Sequence, residues 1–362
     1  MRNLTIHSST HDYDVLIGSS LRHQLKDMVK KEYSKVLIVS DSVVADLYLE
    51  DVKAAFSNAK VSDAIVPAGE GSKSLEQYGR LLDKCIQEQL DRQSLIVGLG
   101  GGMIGDLTGF VASTYLRGID FLQMPTSILA HDSSVGGKVA INHPQGKNLI
   151  GSFYNPIQVV YDTETLQSLP AAEIRSGYGE VIKHALLSDA SWYDELKTQL
   201  LKNVTTEDLE DHLMAGIKVK AGIVEEDEKE HGVRKYLNLG HTLAHALEAE
   251  LGYGAITHGE AVALGIAFAM RVSEHKLKSD LPILSYLEWL QLNDYPLHTL
   301  KSANPKQLVH RMKWDKKTVR EEIHFVLLKE VGSPVVERVN DEELTEYLEK
   351  FLEEVNHIEQ RN

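Results

Sequence analysis

From Ser94 to Pro156 the chain reads SLIVGLGGGMIGDLTGFVASTYLRGIDFLQMPTSILAHDSSVGGKVAINHPQGKNLIGSFYNP, an apolar run, then glycines, then a string of polar and cationic side chains. Ser94 to Val97 has strand character, Gly98, Gly100, Gly101, Gly102 and Gly105 follow, and an apolar-periodic stretch runs from Leu107 to Tyr115. The pattern predicts strand, glycine turn and helix. Glycines at such a turn let the backbone approach a phosphate, and the amide groups and dipole at the next helix start favour negative charge. A phosphorylated nucleotide fits this layout. Gly100, Gly102 and Gly105 also match G-x-G-x-x-G, but the full dinucleotide fingerprint requires the first βαβ unit of a sheet and an acidic residue roughly 20 residues on, ending the next strand. In this chain other strands precede the glycines, and Asp120 begins its strand. An ordinary Rossmann fingerprint, a structural turn without a ligand and another nucleotide-binding α/β arrangement all stay open on these residues, with the third the best fit.

Around this segment the chain alternates between two periods. Short β-rich runs at Leu4–His7, Asp14–Ile17, Lys35–Val39, Val61–Val66, Ser94–Val97, Phe121–Met124 and Ile157–Tyr161 are separated by amphipathic stretches such as Leu75–Gln89. That alternation predicts a mostly parallel sheet flanked by helices, an α/β, Rossmann-like first domain. After Pro170 helical patterns dominate, at Ala171–Leu187, Thr206–Glu225, Leu237–Leu251 and Ile256–His275, with one late strand at Ile323–Leu328 and an acidic amphipathic helix over Asp341–Glu354. A chain of 362 residues is long for one core, so two domains are expected, 1–169 and 170–362, with a cleft where they meet.

A formal net charge of −15 argues against nucleic acid and anionic membrane as partners. No apolar leader or membrane-length run is present, so a soluble, cytoplasmic protein is expected. The single cysteine, Cys85, lies in a helical pattern and excludes an intramolecular disulfide or a cysteine-rich metal site. Against this acidic background the cations Arg117, Lys138, Lys147, Lys183, Lys220 and Arg234 stand out, because each lies close to glycine turns or histidines.

The helical half carries a second constellation. Glu180 lies in SGYGEVIKH, His241 and His245 in LNLGHTLAHALE, and His258 in ITHGEAVALG. Residues four apart share a helix face, so His241 and His245 point the same way, as do Glu180 and His184. One carboxylate with two or three imidazoles suits zinc or another divalent transition metal with a position open to substrate. Gly240 and Gly259 abut histidines inside helical patterns, where glycine costs about 1 kcal/mol unless packing or function requires it. HGE is not HExxH, which excludes the zinc-protease reading. A nucleotide, a metal and surplus cations together suggest oxidation of the hydroxyl of a carboxylated or phosphorylated polyol.

The motifs GEGSKS (Gly69–Ser74), GGGMIGDLTGF, YLRG, PTS, DSSVGGK, NHPQGKNLIG, GEVIK, RKYLNLGHTLAHALE, HGEAVALG and DKK run in order along nearly the whole chain. They resemble the 3-dehydroquinate synthase family, within the sugar phosphate cyclases. The resemblance implies an NAD- and divalent metal-dependent enzyme (zinc or cobalt), likewise cytoplasmic and homodimeric. Its small-molecule substrate would be a phosphorylated sugar acid, 3-deoxy-D-arabino-heptulosonate 7-phosphate, converted to 3-dehydroquinate and phosphate in the shikimate pathway.

The same resemblance implies Glu180, His241 and His258 as metal ligands. NAD contacts would come from Asp41, Glu70, Lys73, Gly101, Gly102, Asp106, Thr126, Ser127, Lys138, Lys147, Thr165 and Ser168. Substrate contacts would fall on Arg117, Lys138, Asn148, Lys183, Lys220, Arg234 and Asn238, with Arg117 reaching across a dimer interface. Lys138, His245, Asp132, Lys183 and Asn148 would form the catalytic set. Departures from the family pattern are few: Ala130-His131-Asp132 is one residue shorter before the aspartate than in many relatives, and Val139 follows Lys138 where threonine is common. After Asp315-Lys316-Lys317, Glu321 replaces a usual glycine and His324 a basic residue, so that strand is left out of the site. Two other enzymes, a cyclase making an inosose or valiolone and a metal-dependent glycerol or alcohol dehydrogenase, are the competing readings, along with an inactive binding module.

Overall fold

The computed structural model describes residues 1–252, 254–301, 303–313 and 323–360, with side chains up to 357. Asp315, Lys316, Lys317 and Glu321 lie outside the described residues. The strands are β1 (Arg2–Ile6), β2 (Tyr13–Gly18), β3 (Lys35–Asp41), β4 (Lys60–Val66), β5 (Leu95–Gly100), β6 (Asp120–Pro125), β7 (Lys138–His143), β8 (Gly146–Phe153), β9 (Gln158–Asp162), β10 (Ile323–Leu328) and β11 (Pro334–Val339). The helices that matter below are α1 (Ser42–Ala55), α2 (Leu75–Gln87), α3 (Gly102–Thr114), α4 (Ala171–Ser188), α5 (Thr206–Glu226), α6 (His241–Leu251), α7 (His258–Leu277) and α8 (Asp341–Gln360).

Seven strands form one sheet in the order β1-β2-β9-β6-β5-β3-β4. Every pairing is parallel except β1 with β2. Central strands of such a sheet are covered on both faces, and their residues divide accordingly. Val36, Ile38, Leu95, Val97 and Leu99 join one buried cluster with Leu49 and Val52 of α1. Leu37, Val39 and Ile96 join another with Leu81 and Cys85 of α2 and Leu107 and Val111 of α3. Each such side chain contributes about 1.5–3 kcal/mol by leaving water, and the helices are placed by what they cover. Asp41 and Ser74 cap α1 and α2 with their side chains.

The glycine run is shifted from its sequence reading. β5 continues through Gly98 and Gly100, and the turn begins at Gly101, the residue before α3. A Cβ on Gly100 would stand 2.7 Å from Ile104, and one on Gly98 3.1 Å from Thr108. These two glycines let α3 lie close on β5, which is a packing role. The polar string after Thr126 folds into the antiparallel β7–β8 hairpin, which the sequence did not announce. Val139 and Ile141 of β7 enter the cluster under α3.

The chain forms two compact units, Met1–Leu169 with Thr205–Lys229, and Pro170–Val204 with Glu230–Asn362. The contiguous 170–362 domain expected from sequence is therefore corrected at α5, which packs on β1 and β2. Leu213, Ile217 and Val224 are buried on its apolar face. Its polar side meets the first unit through Arg2 with Glu210 and Asp211, and through the His7 amide donating to Glu225. Periodicity reveals that α5 has a face to bury, but not which core takes it.

In the second unit α7 packs against α4, α6 and β10. Val262 to Met270 are all buried, so this stretch of the helix is apolar on every side and forms the core. β10 pairs antiparallel with β11, a strand that sequence reasoning missed. Among the described residues no helix is long and apolar enough to cross a membrane.

Candidate active site

The second unit assembles its donor set by removing side chains where helices meet. A Cβ on Gly259 would lie 1.7 Å from the Ser176 carbonyl oxygen, and one on Gly179 would lie 2.1 Å from the Gly259 carbonyl oxygen. No larger residue fits at either position. α4 and α7 thus touch backbone to backbone at the residues beside Glu180 and His258. Gly240 is held at φ 82°, and a Cβ on Gly265 would lie 2.0 Å from its carbonyl, which fixes the start of α6 and hence His241. A capping box in which Thr257 and Glu260 hold each other's backbone amides starts α7 at His258. Glu260 is clamped in turn by Arg175 at 2.7 Å. The glycines flagged in the sequence therefore have a packing reason, and that reason also builds the cluster.

Glu180 is buried, and its Oε1 lies 3.6 Å from Nε2 of both His241 and His258. Its Oε2 lies 2.5 Å from Nζ of Lys183, one turn on in α4. The ligand atoms of Glu180, His241 and His258 all fall within 4.8 Å of one another, as do those of His245, Glu248 and His258. In the first set one carboxylate oxygen faces two Nε2 atoms. Nδ1 of His241 stands 3.2 Å from the Leu239 carbonyl, and Nδ1 of His258 stands 3.2 Å from Oε2 of Glu248. Two imidazoles with their Nδ1 atoms engaged and their Nε2 atoms turned to one carboxylate suit a divalent ion such as zinc or cobalt. The His245 ring centroid lies 5.5 Å from that of His241 and 6.0 Å from that of His258, beside this set. Arg234, fully buried, and Asn238, whose amide donates to Glu230, occupy the turn before Gly240, which packs on α4. Glu248 was missed by sequence reasoning, although it ends the quoted HTLAHALE stretch three residues after His245, on the same helix face.

In the first unit most of the residues expected from sequence to contact NAD gather at the carboxyl ends of neighbouring parallel strands, the edge at which such sheets bind ligands. Asp41 ends β3, Glu70 and Lys73 follow β4, Gly101 and Gly102 follow β5, Thr126 and Ser127 follow β6, and Thr165 and Ser168 follow β9. Asp41 uses Oδ1 to accept from the amides of Val43 and Val44. The hydroxyls of Thr165 and Ser168 donate to nearby carbonyls, which leaves them acceptor roles toward a ligand. Lys73 is 4% exposed and ion-paired with Asp106 on α3. Burial opposes its charge, but the Asp106 and Glu70 carboxylates outweigh burial and raise its pKa above the ordinary lysine value.

The β7–β8 hairpin carries three more assigned residues. Gly137, at φ 63° with a virtual Cβ 2.4 Å from Oδ1 of Asn155, turns the chain into Lys138 at the start of β7. Lys147 and Asn148 lie on β8, and Asn148 sits in the left-handed region at φ 53°, its amide donating to Oδ1 of Asn142. Asn142, also missed by sequence reasoning, donates its side-chain amide to Glu70 and its backbone amide to the Lys73 carbonyl. It thereby joins the loop after β4 to the hairpin. Lys220, carried on α5, contacts both the carbonyl and the carboxylate of Asp132. Arg117 lies apart, at φ 66° on the turn between α3 and β6.

Two family models cover most of the chain: 3-dehydroquinate synthase N-terminal over residues 63–176 and 3-dehydroquinate synthase C-terminal over residues 177–318. The chain is 47% identical to a 3-dehydroquinate synthase of Oceanobacillus iheyensis over 99% of its own length and 100% of that protein. Among solved structures it is similar to a 2-deoxy-scyllo-inosose synthase complexed with carbaglucose-6-phosphate, NAD+ and Co2+. That match has a TM-score of 0.88 and 25% identity over 96% of this chain and 100% of the other. A 2-epi-5-epi-valiolone synthase from Streptomyces hygroscopicus, with NAD+ and Zn2+ bound, shares the fold at a TM-score of 0.85 and 23% identity, covering 96% of this chain and 99% of its own.

Proposed function

The chain belongs to the 3-dehydroquinate synthase family, and on that premise we propose that it converts 3-deoxy-D-arabino-heptulosonate 7-phosphate to 3-dehydroquinate and phosphate, using NAD and one divalent metal, zinc or cobalt. The observation that carries the metal-dependent reading is the approach of two imidazole Nε2 atoms to one buried carboxylate oxygen. When bound, NAD would supply a reversible hydride acceptor and the metal Lewis acidity for developing alkoxide charge, chemistry suited to phosphate loss beside a transient ketone.

Glu180, His241 and His258 would hold the metal. The amides of Gly101 and Gly102 at the start of α3 would take the pyrophosphate of NAD. Asp41 would accept from ribose hydroxyls, and Glu70, Lys73, Asp106, Thr126, Ser127, Lys147, Thr165 and Ser168 would frame the rest of the cofactor. Lys138, Lys183, Lys220 and Arg234 would bind the substrate's carboxylate and phosphate through charge-assisted hydrogen bonds, with Asn148 and Asn238 on its hydroxyls. His245, Lys138 and Asp132 would move protons during elimination and ring closure.

Purified protein given the substrate, NAD and zinc is expected to release phosphate and form dehydroquinate in equal amounts, with no net NADH. A rate no higher than that of Glu180→Ala would exclude the cyclase, and accumulating NADH would point to a dehydrogenase instead. We also propose a homodimer in which Arg117 serves the partner's phosphate site. Arg117 shares an exposed turn with Leu116, and Leu149 and Phe153 of β8 are likewise exposed and apolar. Mixing inactive Arg117→Ala with inactive Glu180→Ala is then expected to restore partial activity, and an inactive mixture would refute the exchange. A cytoplasmic setting, which keeps Cys85 a thiol, belongs to the same proposal.

A further inference from the structure

We propose that Glu248 is a positioning residue of the metal centre: its carboxylate accepts the Nδ1 proton of His258 and so presents the Nε2 lone pair of that ring to the metal. The inference rests on the reading of Glu180, His241 and His258 as metal ligands. A neutral imidazole carries one N–H, and to ligate through Nε2 the ring must keep its proton on Nδ1, which then needs an acceptor. For His241 that acceptor is the Leu239 carbonyl, 3.2 Å away and fixed by the turn before α6. For His258 it is Oε2 of Glu248, at the same distance.

The two acceptors differ in kind. A carbonyl only orients, whereas a carboxylate orients and also makes the imidazole a stronger donor to a cation. Glu248 is 4% exposed. A carboxylate buried to that extent needs a compensating partner, and the His258 ring supplies one. The Thr257–Glu260 capping box and the absent side chain of Gly259 fix the His258 backbone, but neither fixes its ring rotation. Glu248 does so from α6, the helix that also carries His241 and His245. The rival reading, in which Glu248 is itself a ligand with His245 and His258, would engage Nδ1 of His258, the ring atom that faces Glu248, and put the metal on that side of the ring and not on the Glu180 side.

Metal-free preparations of the parent, Glu248→Ala, Glu248→Asp, Glu248→Gln and Glu180→Ala, each with thermal unfolding checked before metal is added, separate these readings. Zinc affinity would be read by competition with a chromophoric chelator, and ligand geometry by the visible bands of the cobalt-loaded protein. Glutamine keeps the reach and an acceptor oxygen, so Glu248→Gln is expected to bind zinc within a few-fold of the parent and keep the cobalt bands. Aspartate withdraws the acceptor by one methylene and alanine removes it, so both are expected to weaken zinc binding by roughly 10- to 100-fold and alter the bands. Parent-like affinity in both folded Asp and Ala variants would overturn the proposal. So would a loss in Glu248→Gln as large as in the Asp and Ala variants together with altered cobalt bands, which would make Glu248 a ligand. If Ala fails to fold, the Gln and Asp comparison decides alone. A parent that binds zinc no better than Glu180→Ala would instead overturn the metal reading itself.

Discussion

At the scale of single residues, what α7 lacks at position 259 shapes the cluster as much as the imidazole at position 258. A methyl group at 259 would overlap the Ser176 carbonyl oxygen, a rigid backbone atom of a packed helix. Gly259→Ala is expected to cost more than the roughly 1–3 kcal/mol usual for an overpacked core, and to lower zinc affinity as α4 and α7 part. Gly222, exposed on α5 with nothing within 4 Å of its virtual Cβ, is the matched control. Gly222→Ala is expected to raise stability by about 0.5–1 kcal/mol, the ordinary helix preference for alanine. Urea unfolding of both variants checks the pair, and equal effects would mean that the contact at 259 relaxes without cost.

Among elements, the turn after β9 is tied by charge. Glu164 accepts from the hydroxyls of Ser20 and Ser19 and pairs with Arg22, and these contacts hold its pKa down at about 2. The unfolded chain takes up that proton first, so the contribution of Glu164 to stability is complete above the ordinary glutamate pKa and fades as pH falls toward 2. The melting temperature of Glu164→Gln is therefore expected to fall less steeply than that of the parent between about pH 5 and pH 2; parallel curves would show that this turn does not contribute. Elements also differ in how openly the sequence declares them. β3, β5 and β6 are built on short apolar stretches buried on both faces, so composition marked them. β7 and β8 hold Lys138, Asn142, His143, Lys147 and Asn148, polar side chains that hide the strand period. His241 and His245 were legible because α6 brings them together through local spacing. Glu180 joins them only through the glycine contacts of α7, and Glu248 carried no signal beyond its place on the same helix face.

For the whole molecule, the two units carry separate ligands under the proposed reading, NAD on one and the metal on the other. A ligand stabilises what it binds in proportion to the logarithm of its concentration over its dissociation constant. Calorimetry is expected to show NAD raising the melting of the first unit, and zinc that of the second. A single transition moved equally by both would mean that the units unfold as one. The chain passes between the units at 169/170, 204/205 and 229/230, because α5 returns to the first of them. On the ribosome, β1 and β2 emerge early yet remain without the helix that packs on them until α5 has been made, a delay of roughly ten seconds or more at ordinary elongation rates. Residues 170–204, already released by then, wait in turn for α6 and α7. Neither unit can be completed before the other has begun, so a cut at 169/170 would deprive the first of α5 and no single cut of the chain frees either unit whole.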